Sequence, residues 1–194
     1  MPGPARVYRN FAASTRGVAA IEFAVIMPVL LLMFLASFDA GRAITIYMKV
    51  RSTTFTVGAI TNQYTTIQSS DMQAIVGASS AVLAPYSSAP AVVTISQIKV
   101  SSGNQATVSW SYSLNGAARA QGSSVTLPGS LVTSTLCGSY PCYLILSEVS
   151  YQYTPSFGYF LTGPIKLSDS LYVTPRSSAC ILYPPEGVNS PSNC

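Results

Sequence analysis

The chain has 194 residues, 48% of them hydrophobic, only 8% charged and none of them histidine. It is long enough for one domain with an appendage, too apolar for a disordered chain and too sparsely charged for an ordinary cytosolic enzyme. The net charge of +4 sits wholly within residues 1–52, where Arg6, Arg9, Arg16, Arg42, Lys49 and Arg51 outnumber Glu22 and Asp39.

A basic excess confined to the flanks of an apolar run speaks of membrane orientation. Nucleic-acid binding needs a basic stripe on the folded domain, and residues 53–194 are charge-balanced, so no nucleic-acid partner is expected. The missing histidine removes the commonest general base and metal ligand. No glycine-rich phosphate loop or carboxylate pair stands out, and the sequence nominates no catalytic residue, metal site or cofactor.

In chain order, residues 1–17 form a basic leader with Arg6, Arg9 and Arg16 and no acidic residue. From Val18 to Phe38 the only ionisable side chain is Glu22. As a helix this run reaches roughly 31 Å at ~1.5 Å per residue, enough to cross a hydrocarbon core. The charge asymmetry places the amino end in the cytoplasm and the rest of the chain outside. A removable secretory signal is the competing reading, and "ASFDAG" offers small residues for its cleavage. The apolar run is longer than such a signal needs, and the helical pattern continues through Ile44, Tyr47, Met48 and Arg51. Asp39 and Arg42 are three apart and suit a pair along one helical face at the outer interface.

Glu22 is the anomaly, because a lone carboxylate in an apolar span is costly. Cleavage between Gly17 and Val18 would make Glu22 the fifth residue of the mature chain and expose a new α-amine. In a bundle of such helices, the amine of one subunit and the carboxylate of its neighbour compensate each other and set axial register. The alternative is a glutamate that merely snorkels to the interface.

A helix over 18–62 leads into a head over 63–194. "SSDMQAIVGASSAVLAPY" predicts a second helix, capped by Ser69 or Ser70, with Asp71 in its first turn and Pro85 as its stop. Gly58 and nearby β-branched residues weaken the preceding helix. "AVVTISQIKV" and "QATVSWSYSL" predict a hairpin, with Ala106, Val108, Trp110, Tyr112 and Leu114 on a core face and the other face wet. "YLILSEVSYQYTP" and "IKLSDSLYVTP" predict two more strands. Ile145, Val149, Tyr151 and Tyr153 share one side of the first; Ile165, Leu167, Leu171 and Val173 share one side of the second. The tail "ILYPPEGVNSPSNC" reads as loop. The expected class is α+β, with a long amino-terminal transmembrane and spine helix packed on a small antiparallel sheet. The tyrosines after residue 110 read as strand core more than as an adhesive patch.

Cys137, Cys142, Cys180 and Cys194 do not have paired zinc-ligand spacing. In an exported head they are disulfide candidates, and the sequence does not choose among the three pairings.

The segment "RGVAAIEFAVIMPVLLLMFLASFDAGRA" resembles the amino terminus of TadE-like proteins of the tight-adherence (Tad/Flp) pilus system. The matching positions are Gly17, Ala19, Ala20, Glu22, Phe23, Ala24, Pro28, Asp39, Gly41 and Arg42. Val18 after the cut favours the Tad branch over conventional type IV pilins. Phe23, where major Flp pilins have tyrosine, favours a minor subunit. The resemblance implies a minor pilin or pseudopilin with a pilin-like head, cut by a prepilin peptidase and contributing to pilus biogenesis and surface adherence. It implies the bacterial inner membrane with the head periplasmic, and leaves entry into the extracellular pilus open. The implied partners are the peptidase, the major Flp pilin, TadF- and TadG-like minor pilins, platform proteins and the lipid bilayer. The alternative is a single-pass periplasmic binding or adhesion protein with an uncleaved anchor.

Overall fold

A computed structural model describes residues 17–102, 105–132, 140–157 and 163–183. Arg6, Arg9, Arg16, Cys137 and Cys194 lie outside the described residues.

The first helix, α1 (Val18–Thr61), is unbroken over 44 residues. Its two halves differ. Residues 17–34 are exposed throughout. Further on, Ile46, Val50, Thr53, Thr54, Val57, Gly58 and Thr61 recur at three- and four-residue spacing and are buried. This stripe faces the sheet. Ile44, Tyr47 and Met48 carry the same period on the opposite side and remain exposed. The buried threonines would leave hydroxyls without water, so each bonds the carbonyl one turn back: Thr53 to Lys49, Thr54 to Val50 and Thr61 to Val57. Gly58 serves close packing. A Cβ there would stand 3.4 Å from Ser147 Cβ, so larger side chains would hold helix and sheet apart.

The second helix, α2 (Ser69–Leu83), buries Met72, Ile75, Val76, Ser79 and Leu83, again at helical spacing. Its cap corrects the expectation of Ser69 or Ser70. Gln68 holds the N-cap position, because Asp71 reaches back to accept the Gln68 N–H at 3.0 Å.

Four strands follow: β1 (Ala91–Ser102), β2 (Gln105–Leu114), β3 (Cys142–Tyr153) and β4 (Ile165–Val173). They form one antiparallel sheet in the order β2-β1-β3-β4. One face packs on α1 and α2 through Val93, Ile95, Trp110, Ile145, Val149, Tyr151 and Tyr153. This is the α+β architecture expected, with the carboxyl-terminal half of α1 covering the sheet.

The expectation of one core face and one wet face on β2 is corrected. Gln97 pairs with Trp110 and Ile98 with Val108, which leaves Ser109 as a bulge. Beyond the bulge Val108 and Ala106 turn to the other face. There they join Ile98, Val100, Leu144 and Leu146 in a second core beneath Val125 and Leu127. The segment carrying those two residues is tied to β2 by Val108 N–H to Ser123 O and Val125 N–H to Ala106 O. β3 is accordingly buried on both sides from Tyr143 to Ser147.

Of the tail read as loop, residues 181–183 are described; they form neither helix nor strand apart from an isolated bridge at Leu182, and residues 184–194 lie outside the described residues. Residues 181–183 run through the core, with Ile181 and Tyr183 buried. Gln97 fixes this strap at both ends of its amide: Ile181 N–H donates to Oε1 at 2.8 Å, and Nε2 donates to Cys180 Sγ at 3.2 Å. Trp110 Nε1 donates to Ile181 O at 2.9 Å. Leu182 exchanges backbone bonds with Thr65 and Ile67. These partners are distant in sequence, so local chemistry did not announce them. Cys142 and Cys180 are not free thiols. Of the tyrosines, Tyr143, Tyr151, Tyr153 and Tyr183 are buried and Tyr140 is exposed.

Candidate functional site

The sequence-singled residues fall into two groups, one on the bare half of α1 and one where α1 meets the head.

In the bare half, Gly17 holds the N-cap position with φ −90° and ψ −14°, a conformation open to any residue. A Cβ on it would meet nothing within 4 Å. The fold of the single chain therefore does not require glycine at 17. Val18, Ala19, Ala20, Glu22 and Phe23 follow in the first turns, all exposed. Pro28 lies inside the helix without ending it. The most apolar 18-residue window of α1 has none of its residues buried. A helix this long and apolar, left bare by its own head, is compatible with a single-pass membrane anchor. The apolar exposure continues past that window through Ile44, Tyr47, Met48 and Phe55.

At the junction, Asp39 is buried although it ends an apolar run. Its carboxylate accepts the backbone N–H groups of Ser156 at 3.0 Å and Phe157 at 2.9 Å, from the loop after β3. Its own carbonyl accepts the Tyr153 hydroxyl at 3.2 Å. One turn on, Arg42 Nη1 donates to Ser156 Oγ at 2.8 Å. Asp39 and Arg42 thus meet at Ser156, which the helical spacing alone did not reveal. The Arg42 guanidinium lies 5.8 Å from the Phe38 ring centroid, and Phe38 meets Phe157 edge-on at 5.9 Å. Burial raises the Tyr153 phenol above its ordinary value, with the Asp39 charge adding to the rise. Chemically this is a clasp. It joins the head to the helix where the apolar run ends, and charge-assisted bonds of this kind contribute about 1.5–3 kcal/mol each. Ser156 and Phe157 carry no sequence signal of this role, and Tyr153 reads from the sequence only as a strand-face residue. The only local signal was a short "TPSFG" loop after a strand, and their partners lie over a hundred residues away.

Gly41 is exposed, and a Cβ there would meet nothing within 4 Å; nothing in the structure explains the glycine. Among the described residues, no three His, Cys, Asp or Glu side chains gather as a metal site. A groove of 460 Å³ on the outer sheet face is lined by Arg119, Glu148, Lys166 and serines. Its ion pair, Arg119 to Glu148 at 2.7 Å, is forked between Nε and Nη2 and partly open to solvent, which screens it.

A protein-family model described as TadE-like protein matches residues 17–58. Neither the search of curated proteins nor that of solved structures gave a match. The matched stretch contains the bare apolar half with Glu22 and the helix side of the clasp, Asp39 and Arg42; the loop side lies beyond it.

Proposed function

From the TadE-like match over residues 17–58, we propose that the chain is Tad pilus-related, a minor pilin or pseudopilin with a structural and assembly role. α1 holds it in the bacterial inner membrane and the head stands in the periplasm. A prepilin peptidase cuts between Gly17 and Val18. The mature helix then enters, primes or caps a Tad pilus. Its partners in this reading are the major Flp pilin, TadF- and TadG-like minor pilins and the platform proteins.

The observation that carries the reading is the bare apolar half of α1, continuous with the half that forms the head's core. An anchor alone needs the apolar half. A helix that packs among neighbouring subunits also needs an outward apolar stripe beyond that half, and Ile44, Tyr47, Met48 and Phe55 supply one. Gly17 is not required by the fold, which suits a glycine kept for recognition by a peptidase. Glu22, exposed one turn into the helix, is available to the new α-amine of a neighbouring subunit. Unpaired in lipid, either charge costs several kcal/mol; paired, they set register.

The four cysteines form two disulfides in this reading, as suits an oxidising periplasm. Peptide mapping without reduction would identify the pairing, and free thiols in the native head would count against export.

The amino terminus of native material, read by mass spectrometry, tests the processing step. The expected first residue is Val18, and Gly17→Leu should block the cut. Glu22→Ala should be cut normally yet fail to support piliation. An intact membrane-bound chain indifferent to the peptidase would favour the uncleaved-anchor alternative.

A further inference from the structure

The clasp at Asp39 holds an exposed aromatic ring in a fixed place. Phe157 is 53% exposed and Phe38 is 49% exposed, yet their rings touch edge to face. Phe38 is the last residue of the apolar run, so Phe157 stands at the height where that run ends. Two N–H bonds from the loop to the buried Asp39 carboxylate and the Arg42–Ser156 bond hold it there. A water-facing phenylalanine gains nothing from being pinned so firmly. The guanidinium of Arg42, a residue one helical turn beyond Phe38, lies over the Phe38 ring of this pair.

Two exposed apolar rings at the end of an apolar run, with a guanidinium over one of them, suit the upper edge of a hydrocarbon layer, where the rings gain by leaving water and the cation reaches lipid phosphate. We propose that the loop around Ser156 and Phe157 is the head's own contact with the bilayer, with the Phe157 ring seated at the headgroup boundary of the leaflet on the head's side. The proposal rests on α1 spanning the membrane. It commits to lipid as the occupant because the exposed ring pair lies one helical turn beyond Phe34, at the end of the bare apolar half of α1. The contact sets the height and tilt of the head over the membrane, and withdrawal of the subunit from the bilayer must lift this ring out of lipid.

The test uses the full chain reconstituted in vesicles whose lipids carry bromine near the top of the acyl chain. The one native tryptophan, Trp110, is buried in the head core and supplies the background. Phe157→Trp should show blue-shifted emission and quenching about twofold or more above wild type, as expected for an interfacial indole. Adding Asp39→Ala should return the quenching toward background. Phe34→Trp, in the bare half of α1, is the control for spanning. A quenched Phe34→Trp beside an unquenched Phe157→Trp overturns the loop contact alone. A Phe157→Trp that is blue-shifted but unquenched also overturns it, since protein then covers the ring. An unquenched Phe34→Trp overturns the spanning reading and the loop contact together.

Discussion

Asp39 and Ser147 are both buried polar residues with opposite consequences. The Asp39 carboxylate satisfies two backbone N–H groups and is itself satisfied by them. Asp39→Ala would strand both donors, and we expect a loss of about 2–4 kcal/mol, read as a lowered midpoint in thermal unfolding of the detergent-solubilised protein. Asp39→Asn keeps an acceptor and should lose less. Ser147 Oγ, by contrast, has no hydrogen-bond partner among the described residues. Ser147→Ala keeps the Cβ that meets Gly58 and removes a buried, unsatisfied hydroxyl. We expect it to be neutral or to stabilise by about 1 kcal/mol in the same assay. A clear loss would mean that this hydroxyl has a partner. Neither sign follows from residue type: an aspartate at an interface and a serine in a strand are both ordinary until their partners are known.

At the scale of elements, local periodicity located nearly every helix and strand. α1 was expected over 18–62 and runs from Val18 to Thr61. The hairpin and both later strands lie where alternation and turn residues placed them. What periodicity missed was the bulge at Ser109, because alternation in one strand cannot report the partner's register. It also missed the strap at 181–183, whose short apolar triplet precedes two prolines and has no period to read. Gln97 is the strap's main tie. Gln97→Leu should leave the Ile181 N–H unsatisfied and cost about 1–3 kcal/mol. Faster hydrogen exchange at Ile181 and Leu182 than in β1 and β3 would be the local signature.

For the whole molecule, the charges are few and the phenols many. Burial is the leading cause that raises Tyr151, Tyr153 and Tyr172 above their ordinary value of 10.0. The folded state therefore holds these protons more tightly than the unfolded chain. Their contribution to stability is full below pH 10.0 and is lost as pH rises through the raised values. A pH titration of head unfolding should show stability falling on the alkaline side. Tyr153→Phe should blunt that fall, apart from the lost bond to the Asp39 carbonyl. The charges that remain define an axis: residues 1–17 are basic, the apolar run Val18–Phe38 carries Glu22 alone and residues 53–194 are balanced.

The sequence by itself determined the apolar run, the odd glutamate within it, the break from helix to strands and the motif that residues 17–58 share with TadE-like proteins. All of these are written in neighbours a few positions apart, where helix and strand periods act directly on the chain. Only the tertiary structure decided that Asp39 and Arg42 grip the loop after β3, that the sheet carries a core on both faces and that residues 181–183 thread the head. Those outcomes depend on hydrogen bonds and packing between residues up to a hundred or more positions apart, and no local pattern encodes which partner a buried polar group will find.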